Sequence, residues 1–215
     1  MHVTFPRLPD HERGYAVVER DDGAVYRLYG SQAGPRLPHD IMHFVVEREL
    51  RIRDGIWGGI ASGIIFDSMQ HVSGRRPPHA RDRSKELLRA FHQRGLRAEV
   101  LAGFVQCVAG LDHPSDIQIQ TLAATKLSVL PDADAEVDPA QVAAAAQALQ
   151  VEAARWARLR VGEQLSYEWP RTPLAAARRA RARKPRIVRP YKKRKGRRPA
   201  LMRGPRTRRP SRPVR

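Results

Sequence analysis

Ionisable side chains gather between residues 39 and 47, where His39-Asp40-Ile41-Met42-His43 is followed by Glu47. Histidines four residues apart fall on one face of an α-helix, the spacing that lets two imidazoles share a metal ion, zinc above all. Glu47 lies eight residues beyond His39, about 12 Å along a helix axis, too far to complete a ligand set with it on the same helix. Asp67 and His71 repeat the four-residue spacing further on. If the two stretches are neighbouring helices, His39, His43, Asp67 and His71 make a four-ligand site of the kind built between bundle helices.

With Asp40 between the histidines, these five residues resemble the zincin pattern H-E-x-x-H, whose glutamate is the general base. Asp40 is then the catalytic candidate, and its shorter arm would reposition any water it activates. The same residues also have a purely structural reading. Pro38 suits the first helical position, Asp40 complements the helix dipole, His39 is exposed in the first turn, and His43 is partnered by Glu47. No other chemistry is signalled. A P-loop and a G-x-G-x-x-G turn are both absent, as is any G-x-S-x-G context for a nucleophile.

The elements that must position these groups are readable from periodicity. Val3 and Phe5 alternate with polar neighbours, and the β-rich runs 15–20 and 24–29 flank Asp21-Asp22-Gly23, a hairpin signal. Tyr26 and Leu28 then share one face, with Val25, Arg27 and Tyr29 on the other. Helices are predicted over about 38–51 and 56–71, then 84–93 and 98–111 with a break at Gly95. Ser115-Asp116-Ile117-Gln118 is a capping box opening a helix to about residue 127, and Asp138-Pro139 opens the longest, to about 159. Leu165, Tyr167 and Trp169 alternate with polar residues and are expected to close the sheet begun at the N-terminus. The class is α+β: a small, mostly antiparallel sheet covered by five or six helices, over residues 1–170. Cys107, the single cysteine, is expected to behave as a small buried hydrophobe. Gly59 and Gly63 form G-x-x-x-G, which in such a chain signals close helix packing more often than dimerisation; the 55–66 surface is an alternative partner-docking site.

Charge divides the chain. Of 40 Lys+Arg, 20 fall in 171–215 with no acid among them, while residues 1–170 hold the other 20 against all 22 Asp+Glu. The body is thus near neutral and the tail carries +20. Seven of the 17 prolines also lie in this tail. Pro spacing, like-charge repulsion and few large apolar residues predict a disordered polycation, with a short helix over 173–184 as one exception. Its natural partner is nucleic acid or another polyanion. The contacts assigned to it are Arg178, Arg179, Arg181, Arg183, Lys184, Arg186, Lys192, Lys193, Arg194, Lys195, Arg197 and Arg198. About six phosphate contacts would give a log–log salt slope near −5 on duplex DNA, without sequence preference. Two plainer readings compete: a solvated tail, and an out-of-frame extension of a GC-rich gene, since Arg outnumbers Lys 34 to six and Asn is absent.

The stretch Arg36-Leu37-Pro38-His39-Asp40-Ile41-Met42-His43-Phe44-Val45-Val46-Glu47, together with Lys126-Leu127-Ser128-Val129-Leu130-Pro131-Asp132-Ala133-Asp134, resembles a group of small actinobacterial proteins of unassigned function. The likeness spans most of 1–170 and ends near Trp169-Pro170. It implies a cytoplasmic bacterial protein whose tail exceeds the usual body, and it carries no catalytic residue. The lone cysteine and the absence of a signal-like N-terminus or a spanning segment agree with a reducing compartment. Two functions follow. The first is a non-enzymatic domain contacting nucleic acid through its tail. The alternative is a zinc-binding, zincin-like hydrolytic domain centred on His39 and His43.

Overall fold

The computed structural model describes residues 1–131 and 135–170. The tail, with its expected helix over 173–184 and its twelve assigned basic residues, lies outside the described residues. The α+β class is as expected, with five antiparallel strands and, among the described residues, five helices. In chain order these are β1 (His2–Pro6), β2 (Arg13–Glu19), β3 (Val25–Gln32), α1 (His39–Glu49), α2 (Ile56–Ser62), β4 (Met69–Ser73), α3 (Ala80–Ala109), α4 (Asp116–Lys126), α5 (Pro139–Arg158) and β5 (Gln164–Glu168).

The sheet runs β4-β3-β2-β1-β5. The first strand pairs with the last, Val3 opposite Tyr167 and Phe5 opposite Leu165, which closes the sheet as the alternation after Leu165 predicts. The β2–β3 hairpin turns at Asp21-Asp22-Gly23, where the Asp22 carboxylate accepts the Ala24 N–H. Period-two alternation buries Val3, Phe5, Ala16, Val18, Tyr26, Leu28, Leu165 and Tyr167 on one face. Arg13, Tyr15, Arg27, Tyr29 and Gln70 face the other way.

Helix α1 lies at the centre of the helical layer, against α2, α3 and α5. Its residues from Ile41 through Glu47 are all buried, so it is enclosed on every side rather than amphipathic. Phe44 anchors it to the sheet side, with its ring 5.2 Å from those of Tyr167 and Trp169 and 5.3 Å from Trp57. Complete burial of Phe44 and Ile41 contributes about 1.5–3 kcal/mol each. That enclosure also takes His43 and Glu47 out of water, and buried polar groups of this kind need partners.

Two helix boundaries differ from expectation. The stretch 56–71 is not one helix: α2 stops at Gly63, whose φ of 122° suits glycine, and the chain turns before β4. Conversely, 84–93 and 98–111 belong to one 30-residue helix, α3, which passes through Gly95. A Cβ at Gly95 would lie 2.6 Å from the Phe91 ring, so the glycine here makes room for an aromatic side chain instead of ending the helix. The capping box of α4 forms, with the Ser115 side chain accepting from the Gln118 N–H. Cys107 is exposed on α3, contrary to the buried position expected, because the inward stripe there is Leu101, Ala102, Phe104, Val105 and Val108. Among the described residues no helix is long and apolar enough to cross a membrane.

Candidate metal centre

His39 and His43 share a face of α1 one turn apart, with ring centroids separated by 4.5 Å. Helix α3 crosses this face and brings up Glu99. Its Oε2 lies 3.1 Å from His43 Nε2 and 3.8 Å from His39 Nε2. One ligand atom from each of the three residues falls within 4.8 Å of the other two. Bonds of about 2.0–2.1 Å hold tetrahedral donors about 3.3 Å apart, so the cluster needs only small side-chain adjustments to close on an ion. Among the described residues, this is the one group of three His, Cys, Asp or Glu side chains that converges in this way.

The inner end of the cluster is fixed by Glu47. This carboxylate is fully buried and accepts hydrogen bonds from the first two amides of α2, Ile56 N–H at 2.8 Å and Trp57 N–H at 3.0 Å. Gly55 permits the approach, since a Cβ there would lie 2.6 Å from the Glu47 carboxyl carbon. Burial raises the Glu47 pKa, while His43 and the two amides oppose the rise. His43 Nδ1 has no hydrogen-bond partner and faces Glu47 Oε1 at 3.8 Å, beyond hydrogen-bond length, so their attraction is one of charge. Burial alone would lower the His43 pKa, but the Glu47 and Glu99 carboxylates outweigh it and hold the imidazole above its usual value. His43 thus sits between two carboxylates, Glu47 on the Nδ1 side and Glu99 on the Nε2 side.

The outer end opens to solvent. The His39 and Glu99 side chains are 54% and 50% exposed, against 1% for His43, and line a cleft of about 490 Å³. The remaining walls are mainly apolar, with Leu28, Ile56, Phe66, Phe91 and Leu96 contributing. Phe66 and Phe91 meet edge to face at 5.4 Å. Asp40 also borders the cleft, with its carboxylate held against Gly30 of β3. Its backbone carbonyl accepts from Trp57 Nε1 at 3.1 Å. Burial raises the Asp40 pKa, His39 and His43 oppose this, and Glu99 adds to it.

The proposed four-ligand set does not form. His39 and His43 come together, but Asp67 sits in the turn before β4 and His71 lies on β4, so the helical spacing that linked them has no basis. His71 donates through Nε2 to the Gly74 carbonyl and packs edge-on against Tyr26. Glu99 takes their place. Its signal was a stripe of His92, Gly95 or Leu96, and Glu99 on one continuous helix, which a break at Gly95 conceals. The loop residues Arg75 and Arg76 are exposed. No family model, no curated protein and no solved structure matches this chain.

Proposed function

We propose that the chain binds a divalent metal ion, zinc by the nature of its donors, through His39, His43 and Glu99. Two imidazoles and one carboxylate leave at least one coordination position free, and this position faces the cleft. A water held there, with Asp40 at hand as base, is the arrangement for metal-assisted hydrolysis. The observation that carries this reading is the convergence of three ligand atoms from two helices on the wall of an open cleft. Titration of chelator-stripped full-length protein with Zn²⁺ by calorimetry tests it. One saturable site is expected, absent from His39→Ala and Glu99→Gln and unchanged in Asp67→Ala and His71→Ala. No saturable binding, or wild-type affinity in Glu99→Gln, overturns it.

A second reading is favoured by the division of charge. A tail of 20 basic residues without an acid, on a body whose charges nearly balance, supports sequence-independent nucleic-acid contact through residues 178–198. The single cysteine supports a cytoplasmic setting. Removal of 171–215 is expected to abolish retention on duplex DNA at every salt concentration and to leave zinc binding intact. Retention unchanged by the truncation overturns the tail as the contact.

A further inference from the structure

The side of β2 and β3 opposite the buried Ala16, Val18, Tyr26 and Leu28 carries two tyrosines interleaved with two arginines, and Tyr29 also borders the cleft beside Glu99. Tyr15 and Tyr29 are cross-strand partners on β2 and β3, and their rings meet edge to face at 6.3 Å. The Arg27 guanidinium lies 4.4 Å from the centre of the Tyr15 ring, and that of Arg13 lies 4.6 Å from the Tyr29 ring. The Tyr29 hydroxyl donates to Gln70 on β4 at 3.0 Å. Arg13 is exposed and the other three are half-buried, while α1 and α2 pack their aromatic side chains onto the opposite face. Among the described residues neither guanidinium has an ion pair: that of Arg13 lies over the Tyr29 ring, and that of Arg27 over the Tyr15 ring, with a hydrogen bond to the Tyr29 hydroxyl.

Guanidinium groups stacked over phenol rings on an antiparallel sheet offer planar surfaces on which further rings stack, and arginines held by no ion pair favour an anionic ligand. The basic tail is excluded as the occupant by charge, since it carries no acid to meet these arginines. Duplex nucleic acid has its base faces already stacked. What combines unpaired aromatic rings with a negative backbone is a single strand. We propose that Arg13, Tyr15, Arg27 and Tyr29 form a binding face for single-stranded nucleic acid, stacking unpaired bases while the arginines contact phosphates. This goes beyond the metal reading and does not depend on it.

The test compares full-length protein binding a fluorescent single-stranded DNA of about 20 nucleotides, longer than one stacking site needs, with the matching duplex across a salt series. Tyr15→Leu/Tyr29→Leu is expected to weaken single-strand binding about fivefold or more per ring, with the salt slope unchanged and duplex binding spared. Tyr15→Phe/Tyr29→Phe keeps the rings and should bind as the parent does. Arg13→Gln/Arg27→Gln should flatten the single-strand slope by about 1.4. Photo-crosslinking of the unsubstituted protein to the same oligonucleotide supplies a readout that no folding defect can imitate, with adducts expected at Tyr15 or Tyr29. Equal single-strand affinity in the leucine variant, adducts confined to 171–215, or no binding by the parent protein at any salt overturns the proposal. The first two of these results leave the tail reading standing.

Discussion

Two buried carboxylates in the helical layer have been treated differently. Glu152 on α5 accepts from the Tyr167 hydroxyl at 2.6 Å and from Arg155 at 2.8 and 3.0 Å, a cluster whose polar atoms are matched within itself. Around His43 the matching is incomplete. Glu47 is satisfied by α2, but the imidazole Nδ1 has no hydrogen-bond partner and Nε2 reaches outward to a half-exposed glutamate beside a cleft. A buried polar network completed from within serves rigidity. One left open on the side of a cavity retains capacity for something from outside, and departures from full satisfaction gather at functional sites. The contrast separates the two regions without reference to any ligand.

The largest effect that can break the contrast is at Glu47. Glu47→Ala strands two buried amides and the His43 charge, and is expected to cost about 3–5 kcal/mol in denaturant unfolding. A loss below about 1 kcal/mol would mean that the inner wall of the histidine cluster is not structural. Next comes Tyr167→Phe, which removes a hydroxyl bonded to a charged group and should cost about 1.5–3 kcal/mol. Burial first, then the Glu152 hydrogen bond and charge, push the Tyr167 pKa far above its ordinary value. The folded state therefore prefers the protonated phenol. Its contribution is fully present below the unfolded pKa of about 10 and is lost as pH rises beyond that, toward the raised folded value. Tyr167→Phe should remove this alkaline loss, and a parent-like decline in its stability above pH 10 would contradict the assignment. The smallest effect is expected at Glu99→Gln without metal. A half-exposed side chain outside any completed network should change stability by no more than about 0.5 kcal/mol. A cost near that of Tyr167→Phe would make the two clusters alike and the outer carboxylate structural.

Four of the five strands were legible because alternation is a local property: Tyr26 and Leu28 turned inward, and Leu165 and Tyr167 paired back to Phe5 and Val3. The histidine pair was legible for the same reason, since both side chains lie one turn apart on one helix. The third member of the cluster was not. Glu99 is 56 residues from His43 and reaches it only because α3 continues through Gly95. Propensity reads that glycine as a stop, whereas packing uses the missing side chain to seat Phe91. The opposite error extended α2 to His71. There the left-handed Gly63 ends the helix, and Met69-Gln70-His71 gains a strand's hydrogen bonds along β3. In both places tertiary contact overrode local preference, and the candidate site stood or fell with it.

The exposed thiol on α3 gives the molecule a built-in attachment point. Cys107 stands on the helix that carries Glu99, two turns and about 12 Å further along its axis. A maleimide dye or nitroxide would therefore couple at one defined place without any engineered residue. From there it would register by quenching or paramagnetic broadening whatever enters beside the histidines.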